Sequence, residues 1–412
     1  MGMQIQKIKA QNPTSASETT VWSDFRFIIL YMPATKTKRP AYQWIDQPHQ
    51  LAALIDNLKK QVTLAVDTES NSLFAYREQV CLIQFSTQRT DYLVDPLKLN
   101  DLSVLGAIFS NPKIEKVFHA AEYDLICLKR DFKFQFCNIF DTMHAGRILG
   151  RANLGLAAML EENFGVKLDK KFQRANWGQR PLPDALKEYA HIDSHYLIAL
   201  RNKLIAELKA SNRWQVAQDD FQRISAVEPS NPEPRSNRWQ VPGSQKLDPQ
   251  QNAILKQLWE MRENKARQQN KPSFKVMSNN DLVELARLAP QNAKNLQRIE
   301  SVSRVIMNRY QDDILNAVQQ GLKAEPLDRV HNTRPSQSYL RRLDLLKQWR
   351  TQAAKNLKVE SDVVLPRECM EAVAKANPKD LKELKSILVN QDWRLKNFGI
   401  EIIGVINPKE KK

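Results

Sequence analysis

Two carboxylates at the end of an apolar run are the residues of this chain with the clearest capacity for chemistry. Asp67 and Glu69 close residues 62–70, Val-Thr-Leu-Ala-Val-Asp-Thr-Glu-Ser, which have the composition of a buried strand. Alternate residues of a strand point to one face, so the two carboxylates project together. An acidic pair at a strand end is usually only a solvated turn. Its meaning therefore depends on whether other carboxylates reach the same place.

Two later segments offer such carboxylates. Asp124 follows a predicted strand by a few residues, where a predicted helix begins, and helices that follow sheet strands begin along one sheet edge. Tyr189 and Asp193 lie four residues apart in another predicted helix, and hence on one face of it. Taken singly, Asp124 could be a helix N-cap and Asp193 an exposed member of a side-chain pair. Carboxylates that converge would instead suit hard divalent cations.

The order of the predicted elements indicates a mixed α/β sheet. Three β-rich runs follow one another closely enough to form an antiparallel meander, and two strand–helix units come after them. The predicted strands are residues 62–70, 80–86, 91–94, 114–118 and 136–140, and the predicted helices are residues 47–60, 102–109, 122–130, 154–164 and 183–208. These elements predict one α/β domain over residues 41–215.

Composition sets this domain off from its surroundings. Residues 1–40 are polar, basic and poorly patterned, which predicts a disordered or mis-started leader. Residues 216–248 are rich in proline and show little apolar periodicity, so they are predicted to be a linker. The hexapeptide Ser-Asn-Arg-Trp-Gln-Val occurs at 211–216 and again at 236–241. We expect each tryptophan to anchor the chain to its domain rather than to stack on a base.

Beyond this linker a longer pattern repeats. Residues 249–325 and 339–406 are predicted to be two small all-helical units, joined by a linker at 326–338 and followed by a basic tail at 407–412. The corresponding positions are Trp259, Leu282, Pro290 and Leu296 in the first copy and Trp349, Met370, Pro378 and Leu384 in the second. Neither copy contains a catalytic cluster, so both are predicted to be binding modules.

Charge and cysteine content limit the class of protein. The net charge is +16, but residues 41–225 hold 23 basic against 22 acidic side chains, whereas residues 226–412 hold 33 against 22. The C-terminal part is therefore expected to bind an acidic partner, for which nucleic acid is the best candidate, although solvated lysine-rich helices would give the same excess. The four cysteines show neither metal-site nor disulfide spacing, which favours a reducing compartment, the cytoplasm. No apolar run is long enough to predict a membrane span.

The acidic motifs together resemble those of the DEDD exonucleases. The pattern is Asp-x-Glu after a strand, Phe-His-x3-Tyr-Asp at a helix start and Tyr-x3-Asp on a late helix, as in the subclass with tyrosine in the third motif. The flanking residues resemble the ribonuclease D family at Leu82-Ile83-Gln84, Asp141-Thr142, Leu168-Asp169-Lys170, Trp177, Arg180-Pro181-Leu182 and Tyr189-Ala190. The doubled helical unit resembles the paired helicase-and-ribonuclease-D C-terminal (HRDC) domains of that family. Over residues 42–406 the resemblance implies a ribonuclease H-like mixed α/β sheet with flanking helices, followed by two all-α HRDC-type domains.

The resemblance also implies a mechanism and a set of site residues. Two divalent ions, Mg²⁺ or Mn²⁺, would be held by Asp67, Glu69, Asp124 and Asp193, and Tyr189 would orient the attacking water. The substrate would be RNA with a free 3′ end, such as a tRNA precursor. The enzyme would be a monomer, and no membrane partner is expected. Substrate contacts are expected from Thr68, Gln84, His119, Tyr123 and Arg180, whereas His191 is expected to be structural. Where the family usually carries a Ser-Asp pair before its tryptophan, this chain has Ala175 and Asn176.

Two other functions are open at this point. The same chemistry could serve a 3′–5′ DNA exonuclease, although no polymerase or helicase motif accompanies it. The chain could also be a nucleic-acid-binding protein with an inactive nuclease core, which the loss of a metal carboxylate would indicate. All four carboxylates are present, and this favours the enzyme.

Overall fold

A six-stranded sheet forms the centre of the N-terminal domain. The computed structural model describes residues 41–229, 238–329 and 335–408, so the predicted leader and the last four residues of the predicted tail lie outside the described residues. The strands are β1 (Tyr42–Ile45), β2 (Thr63–Ser70), β3 (Val80–Ser86), β4 (Asp91–Val94), β5 (Glu115–Phe118) and β6 (Ile139–Asp141). Their spatial order is β1-β4-β3-β2-β5-β6.

The pairing confirms the predicted mixed sheet. Strands β2, β3 and β4 form the antiparallel meander, and β5 and β6 extend it in parallel from β2. Strand β1 was not predicted; it pairs in parallel with β4 at the far edge of the sheet. Strand β3 is buried along its whole length, in agreement with a sequence that is apolar except at Gln84 and Ser86.

Helices cover both faces of this sheet. One face packs on α1 (Pro48–Leu58) and α3 (Glu122–Phe132), and the sheet also contacts α6 (Asp184–His195) and α7 (Leu197–Ala210). The other helices of the domain are α2 (Gly106–Phe109), α4 (Thr142–Ile148), α5 (Leu156–Phe164) and α8 (Trp214–Ser225). Among the described residues, none of the helices combines the length and apolar character that a membrane span requires.

The structure corrects two of the predicted boundaries. The single helix expected over residues 183–208 is two helices, because the chain turns at Tyr196 between α6 and α7. The predicted start of the linker at residue 216 is too early, because α8 extends the domain to Ser225. Phe221 of α8 lies 4.6 Å from Phe140 of β6, measured between ring centroids. Helix α8 therefore belongs to the domain core. Its sequence is mostly polar, so its short apolar face was not recognised from the pattern.

The remaining helices form two similar units. The first contains α9 (Pro249–Gln268), α10 (Ser273–Val276), α11 (Asn279–Leu288), α12 (Ala293–Gln297) and α13 (Arg304–Lys323). The second contains α14 (Gln337–Leu357), α15 (Ser361–Val364), α16 (Arg367–Ala376), α17 (Leu381–Ile387) and α18 (Asp392–Ile406). Each repeat has its own core, and Trp239 is buried in the first, as predicted for an anchoring tryptophan.

The first helical unit contacts the loop between β2 and β3. Tyr76 of this loop packs against the core of the unit, its hydroxyl donates to Glu263 (3.3 Å) and its backbone N–H donates to the Asn270 side chain (3.2 Å). The ammonium group of Lys275 lies 4.3 Å from the ring centroid of Phe74. The strand that carries Asp67 and Glu69 therefore continues directly into a docking loop.

The second helical unit docks on α8 through a buried charge pair. The guanidinium of Arg394 is completely buried and lies 2.9 Å from the carboxylate of Asp220. Next to this pair, the backbone N–H of Trp393 donates to the carboxylate of Asp219 (3.0 Å). The helix that the sequence placed in a linker is thus the platform for the C-terminal unit.

Candidate active site

The end of β2 places two of the four carboxylates. Asp67 lies opposite Gln84 of β3, and the Gln84 amide lies 3.5 Å from one Asp67 oxygen. Glu69 follows two residues later on the same face, just before an irregularity in the β2–β3 pairing. Because β3 is buried and paired on both sides, this edge of the site is fixed by backbone hydrogen bonds.

The third carboxylate comes from the turn between β5 and α3. Asp124 lies in the first turn of α3 and is 8% exposed. The turn is held by Asp141, which accepts hydrogen bonds from the backbone N–H groups of Ala120 (3.2 Å) and Ala121 (2.7 Å). The hydroxyl of Thr68, between the two β2 carboxylates, donates to Asp124. Thr68 therefore links β2 to α3 rather than pointing freely at a substrate.

Helix α6 supplies the fourth carboxylate and the tyrosine. Asp193 is 8% exposed, and its carboxylate is hydrogen-bonded by Tyr189 one turn earlier. One oxygen from each of Asp67, Glu69 and Asp193 lies within 4.8 Å of the others. The structure thus brings together the residues that the three sequence motifs predicted, with Asp124 attached to the same strand through Thr68.

Burial raises the pKa of all four carboxyl groups, and repulsion by neighbouring carboxylates adds to this for Glu69, Asp124 and Asp193. For Asp67, burial raises the pKa to about 7. The pKa values of Asp124 and Asp193 are raised well above the ordinary range by burial and by the charge of Asp67. Glu69 has a raised pKa through burial and through Asp67, Asp193 and Asp124. Crowded, partly desolvated oxygens of this kind fit a site for divalent metal ions, whose charge would offset the repulsion.

A cavity of about 450 Å³ opens beside the carboxylates. Asp67, Tyr189 and Asp193 line it together with His119. The Nδ1 atom of His119 lies 2.9 Å from the Thr142 hydroxyl, so the ring is held at the wall of the cavity. Residues 152–158, which lead into α5, also line the cavity, as do Leu168, Asp169 and Gln173. Sequence patterns gave no signal for the wall at 152–158, because none of its residues belongs to a motif with catalytic side chains.

The predicted role of Arg180 in substrate contact is wrong. Its guanidinium donates to both oxygens of Asp95 (2.7 and 2.8 Å) and to the carbonyls of Cys81, Trp177 and Gln179. These bonds use all five N–H donors of the side chain. Arg180 instead braces the loop that precedes α6 against the sheet.

Gln84 and Tyr123 also have protein partners. Gln84 is completely buried beside Asp67, so it supports that carboxylate and has no exposed surface to offer a substrate. Tyr123 is 53% exposed, and its hydroxyl donates to Glu78, which is paired with Arg130. Substrate contact by the Tyr123 ring remains a prediction, as does contact by His119. His191 is completely buried, as expected for a structural residue.

Comparison with known families matches both parts of the chain. Residues 42–209 match the 3′–5′ exonuclease family, and residues 251–318 and 340–406 each match the HRDC domain. The chain is 27% identical to ribonuclease D of Pseudomonas paraeruginosa over 372 residues, covering 89% of this chain and 98% of that protein. It is similar in structure to ribonuclease D of Escherichia coli, described as an exoribonuclease involved in structured RNA processing, with a TM-score of 0.66, 26% identity and coverage of 89% and 98%.

Eukaryotic relatives match over a shorter part of their length. The chain is 30% identical to the exosome complex exonuclease RRP6 of Saccharomyces cerevisiae over 308 residues, or 69% of this chain and 42% of that protein. It spans 19% and 34% of two RRP6-like proteins of Arabidopsis thaliana. Less than half of these larger proteins is therefore represented in this chain.

Fold, site and domain order define a protein with a DEDD-type 3′–5′ exonuclease domain followed by two HRDC domains. The chain is similar to bacterial ribonuclease D proteins over nearly their whole length and carries the same two kinds of domain. Enzymes of the DEDD group depend on divalent metal ions, in agreement with the acidic cluster.

Proposed function

We propose that the chain is a divalent-metal-dependent 3′–5′ exoribonuclease. The observation that carries the proposal is the convergence of Asp67, Glu69 and Asp193 within 4.8 Å, with Asp124 joined to the same strand. The names of its relatives from Pseudomonas and yeast, a ribonuclease and an exosome exonuclease, support RNA as the substrate class.

The four carboxylates would hold two cations, Mg²⁺ or Mn²⁺, because both prefer oxygen ligands. Bound there, the cations would activate a water for attack and stabilise the charge on the departing 3′ oxygen. Asp67, whose charge acts on each of the other three carboxyl groups, would be one of the ligands. Gln84 and Thr68 would keep the carboxylates of Asp67 and Asp124 in place, since each donates to one of them.

Tyr189 would orient the attacking water. Burial and the charges of Asp193 and Glu69 raise the pKa of its phenol above the ordinary value, so the hydroxyl is protonated at neutral pH. A protonated phenol donates a hydrogen bond and is a poor general base. Its hydrogen bond to Asp193 keeps the hydroxyl at the cavity wall, where it would fix the direction of the nucleophile.

The finer assignments rest on the same proposal. The substrate would be structured RNA with a free 3′ end, such as a tRNA precursor, and the basic C-terminal half would bind its phosphates. We further propose that the enzyme is monomeric and cytoplasmic. All four cysteines are unpaired, which fits a reducing compartment.

Cleavage of matched RNA and DNA strands tests this function. A 5′-labelled RNA incubated with Mg²⁺ should shorten from its 3′ end one nucleotide at a time, and EDTA should stop the reaction. DNA of the same sequence should be cleaved more slowly. Preferential DNA cleavage would replace the proposal by a DNA exonuclease, and binding of RNA without cleavage in Mg²⁺ or Mn²⁺ would replace it by a binding protein.

A further inference from the structure

Helix α6 is held on the side opposite its site residues by a buried carboxylate. The Nδ1 atoms of His191 and His195 lie 3.2 and 2.8 Å from the same oxygen of Asp91, the first residue of β4. Asp91 is 2% exposed and His191 is completely buried. Both histidines use the same ring nitrogen, so one acceptor serves two consecutive turns of the helix.

The spacing of these residues places the histidine contacts and the site residues on different sides of α6. Tyr189 and Asp193 share one side of α6, and His191 and His195 share another, because residues four apart lie on the same face. Ser194 lies between the two sides and its hydroxyl is 2.7 Å from that of Ser86 on β3. Rotation of α6 about its axis would stretch both histidine contacts and would move the Asp193 carboxylate away from Asp67.

Electrostatics make Asp91 a strong acceptor. Burial alone would raise the pKa of Asp91, but the hydrogen bonds from His191 and His195 outweigh it and lower the pKa to about 2. The hydrophobic effect is itself non-directional, so polar contacts add a defined geometry to the apolar packing of α6 on the sheet. Two charge-assisted hydrogen bonds impose a defined geometry. No motif of the family described above involves Asp91, His191 or His195.

We propose that Asp91 is a positioning residue: through His191 and His195 it sets the rotation of α6 and thereby places Tyr189 and Asp193 for the reaction. This inference rests on the proposed exoribonuclease function. A displacement of about 1 Å in a reacting group costs roughly 10²-fold in rate. Loss of Asp91 should therefore lower turnover without changing the residues that contact the RNA.

The test compares full-length variants at a temperature at which all are folded. For Asp91→Ala we expect a fall in kcat of about 10- to 100-fold, an unchanged KM for RNA and weaker Mn²⁺ binding by calorimetry without RNA. The matched control is Asp219→Asn, which alters a buried carboxylate of α8 that is bonded to Trp393 and should leave kcat and Mn²⁺ affinity unchanged whatever its effect on Tm. Normal kcat and normal Mn²⁺ affinity in folded Asp91→Ala would overturn the proposal.

A second pair of variants decides the matter if Asp91→Ala does not fold. His195→Asn keeps an N–H donor close to the position of Nδ1, whereas His195→Leu keeps volume without a donor. We expect His195→Asn to retain more turnover and tighter Mn²⁺ binding than His195→Leu. Equal values for the two variants contradict the proposal. An inactive wild-type protein would instead refute the exoribonuclease function itself, so the two failures are distinguishable.

Discussion

The two HRDC domains have the same fold and the same net charge, yet they attach to the catalytic domain in different ways. Residues 249–325 hold 12 basic and 8 acidic side chains, and residues 339–406 hold 13 and 9. The first domain contacts a loop through Tyr76 and presents exposed cations beside it. The second buries a guanidinium against α8.

This difference shows that net charge does not assign a role to an HRDC domain. A completely buried Arg394 cannot reach a phosphate, so the face that carries it serves attachment. The first domain keeps Arg267, Lys271 and Lys275 exposed next to the loop that leaves the catalytic strand. We therefore expect the first domain to bind RNA near the site and the second to act mainly as a structural support.

The largest expected effect is the loss of stability when the buried pair of Arg394 and Asp220 is broken. Arg394→Ala removes the closer of the two cations beside the buried Asp220 carboxylate and leaves Arg223 at 3.8 Å. We expect a cost of about 3 kcal/mol, the lower end of the range for a broken buried pair, because Arg223 still offsets part of the charge. Urea unfolding should show this loss as a lower midpoint or as separate unfolding of the second domain. The control Arg367→Ala removes an exposed pair with Glu371 and should leave the unfolding curve unchanged. Equal stability of the two variants would mean that the second domain is not held by this pair.

Removal of three cations from one HRDC domain at a time should have the next largest effect. Replacing Arg267, Lys271 and Lys275 by Gln should lower RNA affinity by tens of fold and reduce the slope of log affinity against log salt by about 2, since each cation neutralises one phosphate of a single strand. The matched variant replaces Lys379, Lys382 and Lys385 of the second domain and should change neither value. Fluorescence anisotropy at several salt concentrations measures both. Equal effects would remove the functional difference between the domains.

The stability of the interface between α8 and the second HRDC domain should also depend on pH. Burial raises the pKa of Asp219 to about 6, in spite of the opposing effect of Arg394. The folded state therefore binds this proton more tightly than the unfolded chain, whose aspartate has a pKa near 4. The contribution of Asp219 to stability is greatest below about pH 4 and falls by about 2 kcal/mol as the pH rises to about 6. Asp219→Asn should lack this fall, so unfolding free energies of both proteins at several pH values should diverge with rising pH. Parallel profiles would contradict the assignment.

The smallest expected effect is a loss of stability at the contact between Tyr76 and the first HRDC domain. Tyr76→Phe removes one hydroxyl donor to Glu263 and keeps the ring, so it should cost about 0.5 to 1.5 kcal/mol. Hydrogen exchange of the loop at residues 71–79 should increase, with little change in α18. An effect as large as that of Arg394→Ala would mean that the first domain is the more firmly attached of the two.

The sequence was sufficient for the carboxylates but not for their supports. Period 2 in a strand placed Asp67 with Glu69, and period 3.6 in a helix placed Tyr189 with Asp193. The resemblance to the DEDD motifs then implied that the two pairs meet. The partners of Arg180 and Asp91 were not predictable, because Asp95, His191 and His195 reach them only through the tertiary fold. Helix α8 was missed for the same reason: its apolar face is short, and its packing on β6 cannot be read from local pattern.

The most direct test of the central claim is single-turnover cleavage of a 5′-labelled RNA by the wild type and by Asp67→Asn at saturating Mg²⁺. The substitution removes the carboxylate at the centre of the cluster and keeps its size, so folding and RNA affinity should be preserved. The account predicts a stepwise ladder from the 3′ end for the wild type and no cleavage for the variant. Near-normal turnover of Asp67→Asn in Mg²⁺ would contradict a metal-dependent reaction at these carboxylates.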